Sequence, residues 1–115
     1  MKLTREEAIP KSKHGINLWV YQVNREEAGM VYVEVEEGHF QEFYDKESTF
    51  IYYIIEGEGT FYLDGKPSPV KATDTIVAPP MTKIYYLGKM KMVLVTAPAW
   101  KPENEVHVRY IEKPQ

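Results

Sequence analysis

The chain has 115 residues, 43% hydrophobic and 13% aromatic with nine tyrosines, and a formal charge of −3 from 17 acids and 14 bases. That length suits one domain spanning 1–115, and the acidic balance argues against nucleic acid as a partner, which calls for a basic surplus or patch. There is no cysteine, which excludes disulfides, thiolate metal sites and a cysteine nucleophile, and no apolar run approaches the roughly 20 residues of a membrane span.

In chain order, Met1-Lys-Leu-Thr-Arg-Glu-Glu-Ala8 lacks the apolar centre of a secretory leader, so a cytoplasmic location is expected. Thr4 followed three residues later by Glu7 resembles a capping box and predicts one short helical turn near residues 4–9, ended by Pro10. Strand patterns follow. Leu18–Val23 comes first, then Met30–Val35, where Val31, Val33 and Val35 share one face and Tyr32 and Glu34 the other. Further strands are predicted at Ile51–Ile55, Thr60–Leu63, Thr75–Ala78, Ile84–Leu87, Met90–Thr96 and Val106–Tyr110. Turn signals stand between them at Gly38, Gly57, Asp64-Gly65, Pro67 and Pro69, Pro79-Pro80, Gly88 and Pro98 to Pro102. Short strands with turns at intervals of about 8–12 residues predict an all-β fold, an antiparallel sandwich or barrel.

The segment Ile51-Tyr-Tyr-Ile-Ile-Glu-Gly-Glu-Gly-Thr-Phe-Tyr-Leu-Asp-Gly65 reads as strand, Gly-punctuated bend, strand and Asp-Gly turn. It resembles the central hairpin of the cupin family. The first cupin motif, Gly-x5-His-x-His-x3-Glu-x6-Gly, lays onto Gly38, Tyr44, Lys46, Phe50 and Gly57 without a gap. The second, Gly-x5-Pro-x-Gly-x2-His-x3-Asn, lays onto Thr73, Pro79, Met81, Ile84 and Gly88, and Ala97-Pro98 closes the last strand as in that family. The resemblance implies a jelly-roll barrel with its core at about 29–99 and terminal arms at 1–28 and 100–115. It does not fix an activity, because the family spans many chemistries.

The family's usual metal is not implied. Tyr44, Lys46, Phe50 and Ile84 stand at the four ligand positions. Phe50 and Ile84 have no donor atom, and a lysine cation repels a divalent ion, whereas such ions want imidazole or carboxylate. His14, His39 and His107 lie in three separate segments, and His39, directly after Gly38, is expected at the barrel rim. No metal and no other cofactor is expected.

With strand alternation, Phe50, Tyr52 and Ile54 share the interior face, as do Ile84 and Tyr86, while Tyr44 and Lys46 share the interior face of their own strand. Glu34 is a further candidate for the interior. The predicted binding set is Tyr44, Lys46, Phe50, Tyr52, Ile84 and Tyr86, phenols and one cation over an apolar floor. Three readings follow. The first is a metal-free barrel binding a small organic molecule. The second is a metal-independent isomerase, epimerase, lyase or cyclase using Lys46 and Tyr44 as acid and base. The third is a structural or interaction module with a filled barrel, in which Lys46 snorkels to the mouth. Trp19 and Trp100, one in each arm, are expected to anchor a homodimer.

Overall fold

The computed structural model of the chain describes residues 1–113. Arg5–Glu7 forms a single 3-10 turn, with the Glu7 carboxylate accepting from the backbone N–H and the hydroxyl of Thr4 at 3.2 and 2.9 Å. Among the described residues nine antiparallel strands follow: β1 (Ile9–Lys13), β2 (Ile16–Tyr21), β3 (Gly29–Val35), β4 (Gly38–Asp45), β5 (Thr49–Leu63), β6 (Lys66–Lys71), β7 (Thr75–Ala78), β8 (Ile84–Ala97) and β9 (Glu105–Tyr110). A second 3-10 turn, Pro102–Asn104, precedes β9. Among the described residues no helix is long and apolar enough to cross a membrane.

Two long strands make the barrel. The second half of β8 lies between β3 and the first half of β5, and the first half of β8 lies between β4 and the second half of β5. β1, β2 and β7 extend the first layer, and β9 and β6 the second. So β5 and β8 each cross from one layer to the other, and the sheet curls around a single core. Where they cross, β5 carries a bulge between Ile54 and Glu56, and Gly59 pairs with Gly88. A Cβ on Gly57 (φ 90°) or on Gly88 (φ 129°) would collide with the facing backbone, so the crossing requires glycine. Sequence reading placed turns at Gly57 and Gly88 and split both strands. The structure joins them, because pairing continues through the bend. Pro67 and Pro69, read as turn residues, lie instead in β6, whose only partner among the described residues is β5; on an edge strand the missing N–H costs nothing.

The motif register itself is visible in the backbone. Thr73 and Met81 occupy places where the cupin pattern has glycine, and both keep left-handed φ values of 76° and 73°. Such conformations cost about 1–2 kcal/mol in an L-residue. The Thr73 N–H holds its turn by donating to the Ile54 carbonyl at 2.7 Å, and the Met81 N–H by donating to the Asp45 carbonyl at 2.8 Å. The core gathers Val33, Ile54, Phe61, Ile84 and Met92, all essentially sealed from solvent, with Leu18, Val35, Phe43 and Phe50 around them.

Candidate functional site

At one end the core opens into a cavity of about 320 Å³, a volume suited to a small ligand and incompatible with a filled barrel. Its floor is aromatic. Phe50 and Tyr52 project from β5, Tyr86 from β8, and His39 and Phe43 from β4. The rings form a continuous set: His39 stacks on Tyr86 with centroids 5.2 Å apart and meets Phe43 edge-on at 5.3 Å, and Tyr52 stands 5.7 Å from Tyr86. Phe61 backs both tyrosines at 4.8 and 4.7 Å.

The faces follow from register. Cross-strand partners share a face, and His39 pairs with Tyr86 while Phe43 pairs with Ile84. Both β4 residues therefore look inward, and Tyr44 must look the other way. Between these two pairs β4 spends more residues than β8, an irregularity that ends the simple motif count. The expectation for Tyr44 and Lys46 is corrected accordingly. Tyr44 is half-buried and does not line the cavity. Lys46 is exposed in the bend after β4, its N–H bound to the Asn104 carbonyl at 2.9 Å. Ile84 is buried in the core but is not part of the cavity wall, whereas Phe50, Tyr52 and Tyr86 are. Glu34 lies outside, accepting a hydrogen bond from the Tyr32 hydroxyl at 2.8 Å, since Val33 and Val35 take the inward face.

His39 is likewise corrected from rim to interior. It is 3% exposed, and its Nδ1 is buried without a hydrogen-bond partner. Burial, then the Lys13 cation and the repulsion that a proton on the nearby His14 would exert, push its pKa down to about 3, so the imidazole is neutral at ordinary pH. Burial pushes the phenols of Tyr52 and Tyr86 well above their usual value, which keeps both as hydrogen-bond donors. The His14 ring meets His39 edge-on at 5.6 Å.

The arms complete the wall. Lys13, the last residue of β1, pairs with Glu105, the first of β9, at 3.7 Å, and both line the cavity. Trp100 lies at the mouth, its indole N–H donating to Glu105 Oε1 at 3.1 Å. The Lys11 ammonium lies 6.0 Å from its ring centroid, and the exposed Arg25, paired with Glu27 at 2.9 Å, also lines the cavity. Sequence reasoning missed His39, Lys13 and Glu105 as site residues. Alternation counted back from Tyr44, read as inward, puts His39 on the outer face, so parity gave no signal for it, and Lys13 and Glu105 meet only through long-range pairing. Among the described residues no three His, Cys, Asp or Glu side chains are placed to hold a metal ion; the cavity itself offers one imidazole and one carboxylate, and that carboxylate is engaged by Lys13 and Trp100.

Residues 24–101 match the family described as the EutQ-like cupin domain. Among curated proteins no sequence match is found. Among solved structures the chain is similar to Pac13, described as a nucleoside dehydratase, at 47% identity over 97% of this chain and 93% of that one, with a TM-score of 0.96. It is equally similar to a Streptomyces Pac13 variant, one histidine changed to glutamine, with uridine: 47% identity over 96% and 92% of the two chains, TM-score 0.95. KdgF from Halomonas sp. shares the fold at 16% identity over 88% of this chain and 94% of that one, with a TM-score of 0.74. The chain belongs to the cupin family, as a EutQ-like cupin domain.

Proposed function

We propose that this protein is a nucleoside dehydratase whose chemistry is carried by His39, Tyr52 and Tyr86 without a metal. One observation carries the reading. The uridine-bound Streptomyces forms include variants with one histidine changed to glutamine and each of two tyrosines changed to phenylalanine. Each altered position lies three places further along that chain than His39, Tyr52 and Tyr86 do here, and these three side chains meet on the cavity floor.

Dehydration breaks a C–H and a neighbouring C–O bond, forms a C=C bond and releases water. A neutral imidazole with a pKa near 3 accepts the carbon-bound proton reluctantly, so the substrate's C–H must be activated, as a carbonyl on the adjacent sugar carbon would do. The imidazolium that forms is a strong acid and returns the proton to the departing hydroxyl, so no net proton crosses the cavity. The Tyr52 and Tyr86 hydroxyls supply fixed hydrogen bonds where negative charge develops, in a setting too dry to screen them. Lys13, turned toward the same space and held by Glu105, adds a cation. The donor set supports a metal-free route, as do Phe50 and Ile84 at the motif's ligand positions.

The test is to incubate the protein with a nucleoside panel, including sugars oxidised to a carbonyl, and follow loss of one water by mass spectrometry with and without a chelator. Chelator-insensitive water loss is the expected result. Uridine that neither binds nor gives any dehydrated congener would end the reading.

A homodimer belongs to the same proposal. Trp19, Tyr32, Val93 and Tyr53 form one cross-strand row on the outer face, beside a second row, Tyr21, Met30, Val95, Ile51 and Val77, whose Tyr21 and Met30 also reach the rim of the cavity. An apolar band across five strands suits a second copy of this chain. Trp19 lies in it and Trp100 does not. Sedimentation showing only monomer at micromolar concentration would refute the dimer.

A further inference from the structure

Resting on the nucleoside reading, we propose that Trp100 is the platform on which the nucleobase stacks, and thus a specificity-determining residue for that end of the substrate. Depth orders the cavity. His39, Tyr52 and Tyr86 lie on the floor, each at most 3% exposed, and a hydroxyl can leave only from the sugar. The sugar therefore sits deep, and the base is left at the mouth. The wall there mixes exposed polar side chains, Lys11, Asn24 and Arg25, with aliphatic ones such as Val23 and Met30, so a heteroaromatic base finds a flat ring only at Tyr21 and Trp100. Trp100, 36% exposed, supplies a large flat ring.

That ring is fixed in advance. The Trp100 backbone N–H donates to the buried Thr96 hydroxyl at 3.1 Å, and the indole N–H donates to Glu105 at 3.1 Å. The Lys11 and Lys13 ammonium groups lie 6.0 and 5.9 Å from its centroid. The preceding residue is tied to the connection before β3, where the Ala99 N–H donates to the Glu26 carbonyl at 3.0 Å. A side chain held at both ends loses little freedom when a ligand stacks on it. Its hydrogen bond to Glu105, which pairs with Lys13, also links the base platform to the charged pair bordering the floor.

The two tryptophans make the test direct, because Trp19 lies on the outer face against Tyr32, under Arg5 at 4.2 Å. In Trp19→Phe, Trp100 is the sole indole, and uridine should quench its fluorescence saturably; in Trp100→Phe, which keeps Trp19, no quench should occur. By calorimetry Trp100→Ala should bind uridine about ten- to a hundredfold more weakly, the usual worth of one base–aromatic stack. Trp100→Phe should stay within about threefold, and methyl riboside should bind all forms alike. If uridine binds the wild type but neither quenches Trp19→Phe nor senses Trp100→Ala, the platform is disproved and the nucleoside reading stands, with Tyr21 the other aromatic at the mouth. If Trp100→Ala and Trp100→Phe weaken uridine and methyl riboside equally, Trp100 merely holds Glu105 and the proposal fails. If uridine does not bind the wild type, both readings fall together.

Discussion

The floor and the mouth of one cavity obey different electrostatics. On the floor burial dominates: it pushes the His39 pKa down to about 3 and the Tyr52 and Tyr86 phenols up, so every titratable group there is neutral. At the mouth Lys13 and Glu105 form a 3.7 Å pair whose side chains stay 36% and 20% exposed, and water keeps such charges affordable. The contrast separates two jobs: a dry floor can move a proton and hold oxygen, and a wet rim can recognise and orient. Each test below asks whether the floor behaves as the dry half.

The largest expected effect comes from taking the proton acceptor off the floor. His39→Gln keeps a polar group of similar size and should lower the rate of dehydration about 10²- to 10⁴-fold, the usual worth of a positioned acid–base group. Uridine affinity, set partly at the mouth, should change far less. A variant keeping more than a tenth of the wild-type rate would show that the floor does not act through His39.

Next comes stability against acid. A histidine whose folded pKa is about 3, against an ordinary 6.5, binds a proton more readily in the unfolded chain. Its stabilising effect is fully present above pH 6.5 and is lost as pH falls toward 3, by several kcal/mol at full extent. His14, lowered chiefly by burial, acts in the same direction. Carboxylates such as Asp74, lowered by the Lys71 backbone N–H, contribute only at more acid pH. The interval from about 6.5 to 4.5 therefore reports the histidines. Denaturant melts across it should show falling stability, with the slope reduced in His39→Gln; equal slopes in both proteins would mean that His39 is not in a dry site.

This division was only partly legible in the residues. Strand alternation around Phe50, Tyr52 and Tyr86 was readable because β5 and β8 pair regularly there, so parity gives the face. The cupin register was readable from spacing, and even the substituted glycine places, Thr73 and Met81, keep the turn conformation. β4 was not readable, because an irregular pairing between His39 and Phe43 separates motif count from facing direction. Lys13, Trp100 and Glu105 were hidden for another reason. Lys13 ends the first strand of the tight β1–β2 hairpin, but Glu105 comes to it only through β4–β9 pairing between residues far apart in sequence, which no local pattern encodes.

A smaller effect should appear when the rim is altered and the floor is read. Burial is the first cause of the low His39 pKa and the Lys13 cation the second. Lys13→Met keeps the apolar stem and removes the charge, so the His39 pKa should rise toward its ordinary value without reaching it. A proton NMR titration of the histidine ring resonances measures this. No change would mean that Lys13 is screened from the floor by Glu105 and that the two regions are electrostatically separate.

The smallest effect is expected where the family motif pointed most directly. Lys46 stands at a ligand position by spacing but is exposed in the bend after β4, and Tyr44 faces away from the cavity that Phe43 enters. Lys46→Met and Tyr44→Phe should each change folding stability by no more than about 0.5 kcal/mol, as surface substitutions do. Dehydration rate and uridine affinity should match the wild type. The pair is informative because the alternative is sharp: a lysine cation within the cavity would hold an anionic group through a charged hydrogen bond worth about 1.5–3 kcal/mol. Should Lys46→Met weaken binding of a nucleotide by the corresponding factor while sparing uridine, the β4 bend must fold inward when ligand is bound, and Lys46 would belong to the rim alongside Lys11 and Lys13.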